Sequence, residues 1–323
     1  MTLVPLVLAA LFALVQGSGP TTPTLWAGLT AGAWPVGYRH IDNVSTATDA
    51  WYPAATGGTT LSMRGYLGAG ASEFAGFLTS AKVSETGVAR YLDSPMAARR
   101  DAPAAAGAFP IIALAQGNAQ VAADQAVLGE FLASQGFIVV TTASPMRLTP
   151  MKSEDEVGRF AETQANDLSR AIDAVSTWPS ARSSVRFVVG HSFGARAALL
   201  LAMRDPKVRG VISLDGGIGT ATGLDSYRRA PSFDANKASA PILHFYEALD
   251  EFMKPDFTLL KSLPARLTLR PLAGMHHSHF TSIGFGAAAM PELAALTKAG
   301  PEIRQSLRTM ADEVLAFLQS ASR

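Results

Sequence analysis

Five residues in the middle of the chain, Gly190-His191-Ser192-Phe193-Gly194, carry the pattern G-x-S-x-G. A serine hydroxyl is a weak nucleophile until a base takes its proton and a third group orients that base. In this pattern the two glycines let the chain reverse sharply and leave the serine at the tip with strained dihedrals. The hydroxyl then projects from the turn, and the next backbone N–H, that of Phe193, points where an oxyanion would form. In a chain rich in Gly, Ser and Ala the pentapeptide alone says little, so its setting matters. A short β-branched run from Val185 to Val189 precedes it, and an Ala/Leu-rich run through Leu200 follows it, so Ser192 is expected between a strand and a helix.

A strand–turn–helix nucleophile takes its acid and then its base from later in the chain. Asp215 directly follows the predicted strand Val208 to Leu214, and Asp250 follows the next one, Pro241 to Tyr246. Each also has a plain reading, Asp215 as a turn residue and Asp250 as the start of a helix. Position in the strand order favours Asp215, with Asp250 as the alternative acid. The base is expected from Gly274-Met275-His276-His277-Ser278-His279-Phe280, where three of the six histidines fall together. His276, His277 and His279 on one tight loop cannot easily present a common metal face, and no H-E-x-x-H helix accompanies them. One of the three is therefore read as general base. His191 is read as packing beside Ser192, and His40 and His244 as structural. A second oxyanion donor is expected from the turn Gln116-Gly117-Asn118-Ala119, which pairs the Asn118 N–H with that of Phe193. The Gln116 and Asn118 side chains have the rival task of satisfying loop backbone groups.

Around these residues the chain reads as strands alternating with helices. Strands are predicted over 36–41, 48–53, 109–115, 137–142, 208–214, 241–246 and 266–270. Helices are predicted over 72–80, 121–134, 154–178, 256–263 and 303–318. This alternation implies an α/β protein with a mostly parallel sheet covered by helices on both faces. Residues 216–240 are loop-rich and read as a cap over the site. The apolar residues of 245–263 and 280–290 read as core or cap packing in preference to an acyl pocket.

The 323 residues are 48% hydrophobic and 16% charged, enough for a large core. A net charge of +1 gives no electrostatic basis for binding nucleic acid or an anionic membrane. There is no cysteine, which excludes disulfides, thiolate catalysis and Cys-ligated zinc. Leu3 to Val15 is nearly all apolar and Gln16-Gly17-Ser18-Gly19 follows, so residues 1–17 read as a signal peptide and the location as secreted or periplasmic. Residues 18–35 read as a linker and 36–323 as one domain. No later apolar run is long enough to span a bilayer.

These residues resemble the α/β-hydrolase superfamily, and within it the dienelactone-hydrolase-like and platelet-activating-factor-acetylhydrolase-like esterases. The likeness covers roughly residues 36–320. It rests on Gly37-Tyr38-Arg39, Ala50-Trp51-Tyr52-Pro53-Ala54, Phe109-Pro110 and Gly190-His191-Ser192-Phe193-Gly194, and on Leu214-Asp215 soon after the serine. The acetylhydrolase pattern takes its acid from the Leu214-Asp215 position, and its histidine precedes a phenylalanine by three residues. That spacing matches His277 with Phe280 and selects His277 over the alternative bases His276 and His279. Gln116-Gly117 stands where these families often carry His-Gly. The dienelactone branch uses a cysteine nucleophile, so Ser192 points to esters. The resemblance implies an α/β-hydrolase fold and a serine esterase with Ser192, His277 and Asp215 as triad. It implies no cofactor or metal, and a small-molecule or lipid ester as substrate. A serine peptidase or amidase would need the same triad, and an inactive binding protein of this fold is the rival from another class.

Overall fold

The computed structural model describes residues 22–322 apart from 43, 45, 248 and 250–252. The predicted signal peptide and the rival acid Asp250 therefore lie outside the described residues. Ten strands form one sheet. In chain order they are β1 Val36–Ile41, β2 Thr48–Pro53, β3 Thr59–Ser62, β4 Pro95–Arg100, β5 Phe109–Ala115, β6 Ile138–Thr142, β7 Ala181–His191, β8 Val208–Leu214, β9 Ile242–Tyr246 and β10 Leu267–Pro271. Across the sheet the order is β10-β9-β8-β7-β5-β6-β2-β1-β4-β3. The strands from β10 to β6 are all parallel. Both β2 against β6 and β1 against β2 are antiparallel.

Helices join and follow these strands. Between β3 and β4 lie α1 Met63–Leu67, α2 Ala71–Ser80 and α3 Glu85–Leu92. The crossovers of the parallel half carry α4 Ala126–Ser134, α5 Val157–Ser176, α6 Gly194–Arg204, α7 Leu224–Arg228 and α8 Thr258–Ser262. After β10 come α9 Ser282–Ala289, α10 Pro291–Thr297 and α11 Ile303–Ala321. Alternation along β5 shows why both sheet faces are covered. Ile112 and Leu114 belong to one core with residues of α4 and α11, while Ile111, Ala113 and Ala115 belong to the other with residues of α5 and α6. A strand buried on both sides reads as a continuous apolar run, which is how β5, β7 and β8 look in the sequence.

Two expectations need correction. Residues 24–29 are no linker: Thr24–Trp26 forms a 3₁₀ turn, and Leu25 and Trp26 are fully buried. Nor do residues 216–240 cap the site. The Ser226 hydroxyl accepts from Gly158 N–H of α5 at 3.0 Å, and the Tyr227 hydroxyl donates to Arg196 O of α6 at 2.9 Å, so this stretch is fastened to those two helices. The short α1, the edge strand β3 and its neighbour β4 carry too little apolar pattern to be seen beforehand.

One lone acid in the apolar α4 ties the N-terminal turn to the rest. The buried Glu130 carboxylate accepts from Trp26 Nε1–H at 2.9 Å and Ala97 N–H at 3.0 Å on one oxygen. The other oxygen accepts from the Tyr66 hydroxyl and Ala98 N–H, both at 2.8 Å. Burial pushes this carboxyl upward, and the four donors pull it back. A glutamine here turns an N–H₂ group toward two N–H donors. Glu130→Gln is accordingly expected to destabilise the fold by about 2–4 kcal/mol, read from the midpoint of denaturant unfolding.

Candidate active site

The site stands at the carboxyl ends of the parallel strands, where crossover loops converge. β7 passes into α6 through Ser192 and Phe193. A Cβ on Gly190 would lie 2.5 Å from Ala195 Cα, and one on Gly194 would lie 2.2 Å from Ala115 O. Only glycine at both positions lets α6 begin so close to β5 and β7. Ser192 has φ +53°, in the left-handed region that costs a non-glycine residue about 1–2 kcal/mol. Ser192 N–H donating to Leu214 O at 3.1 Å, and Gly217 N–H donating to Ser192 O at 2.8 Å, hold it there.

Ser192 Oγ lies 2.8 Å from His277 Nε2, and His277 Nδ1 lies 2.6 Å from Asp215 Oδ2. The other Asp215 oxygen accepts from Glu247 N–H at 3.3 Å. Asp215 follows β8 with φ +44°, held by its N–H donating to Phe245 O at 2.9 Å. Its side chain is 3% exposed, against 18% for His277. A buried carboxylate on Nδ1 fixes the ring so that Nε2 is presented to the serine.

His277 opens a 3₁₀ turn, His277–Phe280, after β10. Within it, the buried His279 accepts from His276 N–H on its Nδ1 at 2.9 Å, and the two rings meet edge to face at 5.6 Å. Phe280 is fully buried and anchors the turn in the core. Of the three histidines, His277 is the one the structure brings to Ser192.

After β5 the chain turns through residues 116–120, and Asn118 lines the same cavity as Ser192. Ala119 has φ +57°. No backbone carbonyl among the described residues takes the N–H of Phe193 or Asn118. The Gln116 amide donates to Thr141 Oγ1 at 2.9 Å, and its main-chain carbonyl accepts from the Gln164 amide at 2.8 Å. Sequence reasoning passed over Gln120. Its Oε1 accepts from Gly117 N–H at 2.7 Å and from His191 Nδ1–H at 3.0 Å. The His191 ring in turn stacks on His277, centroids 4.9 Å apart at 27°. Gln120 and His191 thus connect the 116–120 turn to the His277 ring.

Burial, and after it the nearby His277 charge, lowers His191 to about 3; burial lowers His244, whose Nδ1 is 2.8 Å from Ser213 Oγ, to about 3 as well. Below the ordinary value of 6.5 the unfolded chain takes up protons at these rings that the folded chain refuses until about pH 3. These rings therefore make stability fall as pH drops through that window, each by at most about 1.4 kcal/mol per pH unit. Unfolding midpoints measured from about pH 7 to about pH 4 are expected to fall less steeply for His244→Gln than for the unaltered protein.

Beside Ser192 opens a cavity of about 490 Å³. Its apolar wall comes from Met63 and Leu67 of α1, Phe74 and Phe77 of α2, Ile283 of α9 and Leu296 of α10. Ile283 comes from the 280–290 stretch, whereas Phe280 and Phe285 go to the core.

No protein-family model matches the chain, and no curated protein matches it in sequence. Among solved structures, a ferulic acid esterase from Streptomyces cinnamoneus is similar to it, with a TM-score of 0.67 and 17% sequence identity. The match covers 91% of this chain and 92% of that one. At this identity the likeness speaks for architecture. Together with the parallel sheet, the turn at Ser192 and the loops at the strand ends, it shows that the chain has the α/β-hydrolase fold.

Proposed function

We propose that the chain is a serine hydrolase that cleaves carboxylic esters through an acyl-enzyme on Ser192. The observation that carries this reading is the unbroken relay from Ser192 Oγ to His277 (2.8 Å) to Asp215 (2.6 Å) beside an apolar cavity. That a protein of like fold is an esterase agrees with it. The Leu214-Asp215 step and the His277-to-Phe280 spacing fit the acetylhydrolase-like esterases most closely.

In the first half-reaction Ser192 Oγ attacks the ester carbonyl carbon while His277 Nε2 takes the hydroxyl proton. The carbonyl oxygen becomes an oxyanion that receives the N–H groups of Phe193 and Asn118. His277 then passes its proton to the departing alkoxide, which leaves as the alcohol. In the second half-reaction water adds to the acyl carbon, with His277 again as base, and the acid leaves Ser192. Asp215 stabilises the imidazolium in both halves without being protonated itself. These steps use no cofactor.

A fluorophosphonate probe followed by peptide mapping tests this reading. One label is expected, on Ser192; a protein that stays unlabelled, or that labels elsewhere, contradicts it. Gln120 tests the oxyanion turn. Losing one oxyanion donor costs about 10²–10³ in turnover, and Gln120→Leu loosens the turn without deleting a donor, so kcat is expected to fall about tenfold. Ester hydrolysis at saturating substrate checks it.

A further inference from the structure

We propose that Asp124 and Tyr91 form a recognition pair for a hydroxyl group carried by the ring-sized, apolar part of the ester that enters the cavity. This rests on the esterase reading above. The cavity wall is mostly hydrocarbon, and Phe74 lies 6.0 Å from Phe77 and 5.8 Å from Tyr91, the latter pair inclined by only 30°. Aromatic faces arranged this way suit a flat apolar guest, and 490 Å³ is room for one.

The polar groups on that wall can be accounted for one by one. Asn118, Gln120, His191, Ser192 and His277 belong to the reacting centre described above, and Ser278 adjoins His277 in the same 3₁₀ turn. The Thr281 hydroxyl donates to Ser278 O at 2.8 Å, the Thr297 hydroxyl to Leu293 O at 3.0 Å, and the Ser282 hydroxyl accepts from Val127 N–H at 3.4 Å. Two groups remain. Tyr91 is 2% exposed, lines the cavity, and its hydroxyl has no hydrogen-bond partner among the described residues. Asp124 also lines the cavity; its carboxylate accepts from Val121 N–H at 2.8 Å, while its own N–H donates to Val121 O at 3.0 Å. A carboxylate offers about four lone-pair positions, so acceptor capacity stays open. Both groups therefore face the one cavity, no hydrogen bond joins them among the described residues, and the Asp124 charge adds to burial in raising the Tyr91 phenol.

An acceptor and a donor that line one apolar cavity without bonding each other match a guest that is both. A guest hydroxyl donates to Asp124 and accepts from Tyr91. A methoxy group in the same place has no proton to give, and it leaves the carboxylate desolvated and short of a partner. Sites built to bond a hydroxyl reject analogues without it far more strongly than apolar pockets reject a methylene.

Matched esters test this in two series. One comprises methyl esters of phenylpropanoic acid bearing a para-hydroxyl, a para-methoxy or no substituent. The other comprises acetates of phenylethanol substituted in the same way, so that the ring lies on the acyl side in the first series and on the alcohol side in the second. In at least one series kcat/KM is expected to favour the hydroxyl over the methoxy ester by about tenfold or more. Tyr91→Phe, which keeps the ring, and Asp124→Asn, which keeps the Val121 contact, are each expected to shrink that ratio to within about threefold. Hydrolysis without hydroxyl preference in either series overturns the pair, as does a preference that survives both substitutions. A protein that hydrolyses none of the esters and takes no fluorophosphonate overturns the esterase reading along with it.

Discussion

Ser192→Ala is expected to lower kcat for ester hydrolysis by a factor on the order of a million, and to abolish fluorophosphonate labelling, with the fold unchanged. Alanine keeps the Cβ and the backbone bonds that hold φ at +53°, so the turn between β7 and α6 persists. What disappears is the oxygen 2.8 Å from His277 Nε2, and with it the covalent route. The oxyanion donors and the cavity remain, and by themselves they leave about 10³–10⁴ of the acceleration over water. A panel of p-nitrophenyl esters of graded chain length, run on both proteins at matched circular dichroism, reads the difference. The panel also shows how much hydrocarbon the cavity between α1, α2, α9 and α10 accepts. A variant that keeps a tenth of the turnover rules out Ser192 as the nucleophile.

The next largest effect is expected from Asp215→Asn, a loss in kcat of about 10⁴ with little change in KM. Asparagine fills the same volume and its oxygen can still accept from Glu247 N–H. Its N–H₂, however, turned toward His277 Nδ1, selects the tautomer that carries its proton on Nε2, the nitrogen facing Ser192. The ring then donates where it should accept. The imidazolium formed during attack also lacks a counter-charge in a place where the acid is 3% exposed, so water cannot replace it. Asp250→Asn is the matched control and is expected to stay within about threefold of the unaltered protein, since the kinetic cost falls on the carboxylate that orients the base. If the two variants exchange these outcomes, Asp250 is the acid.

Much of the fold could be read from periodicity. The strands from β5 to β9 carry β-branched or apolar runs because neighbouring strands and two helix layers cover them, and such burial leaves its mark residue by residue. In the segment from β3 to β4 only α2 left such a mark, as the helix predicted over 72–80. β3 is the edge strand and β4 lies next to it, α1 has five residues, and α2 leaves Phe77 55% exposed, so the pattern is broken where the cavity is built. Glu130 was legible as an oddity, a lone acid in the apolar run Ala126–Ser134, but its partners Trp26 and Tyr66 lie 104 and 64 residues away.

The sequence by itself determined the turn at Ser192, because the run before it, the run after it and the two glycines lie within one short stretch, and the crowding at Gly190 comes from Gly194 and Ala195 nearby in the chain; the crowding at Gly194 comes from Ala115 of β5 and arises only on folding. It also narrowed the acid to the ends of two strands and the base to one four-residue cluster. Only the tertiary structure decided which imidazole meets the hydroxyl, since His276, His277 and His279 are chemically alike and differ only in where a 3₁₀ turn anchored by Phe280 aims them. It alone brought Gln120 and Asp124 to the cavity and stacked His191 on His277. Hydrogen-bond direction and ring stacking depend on positions set by four separate stretches of chain, and no spacing within any one of them carries that information.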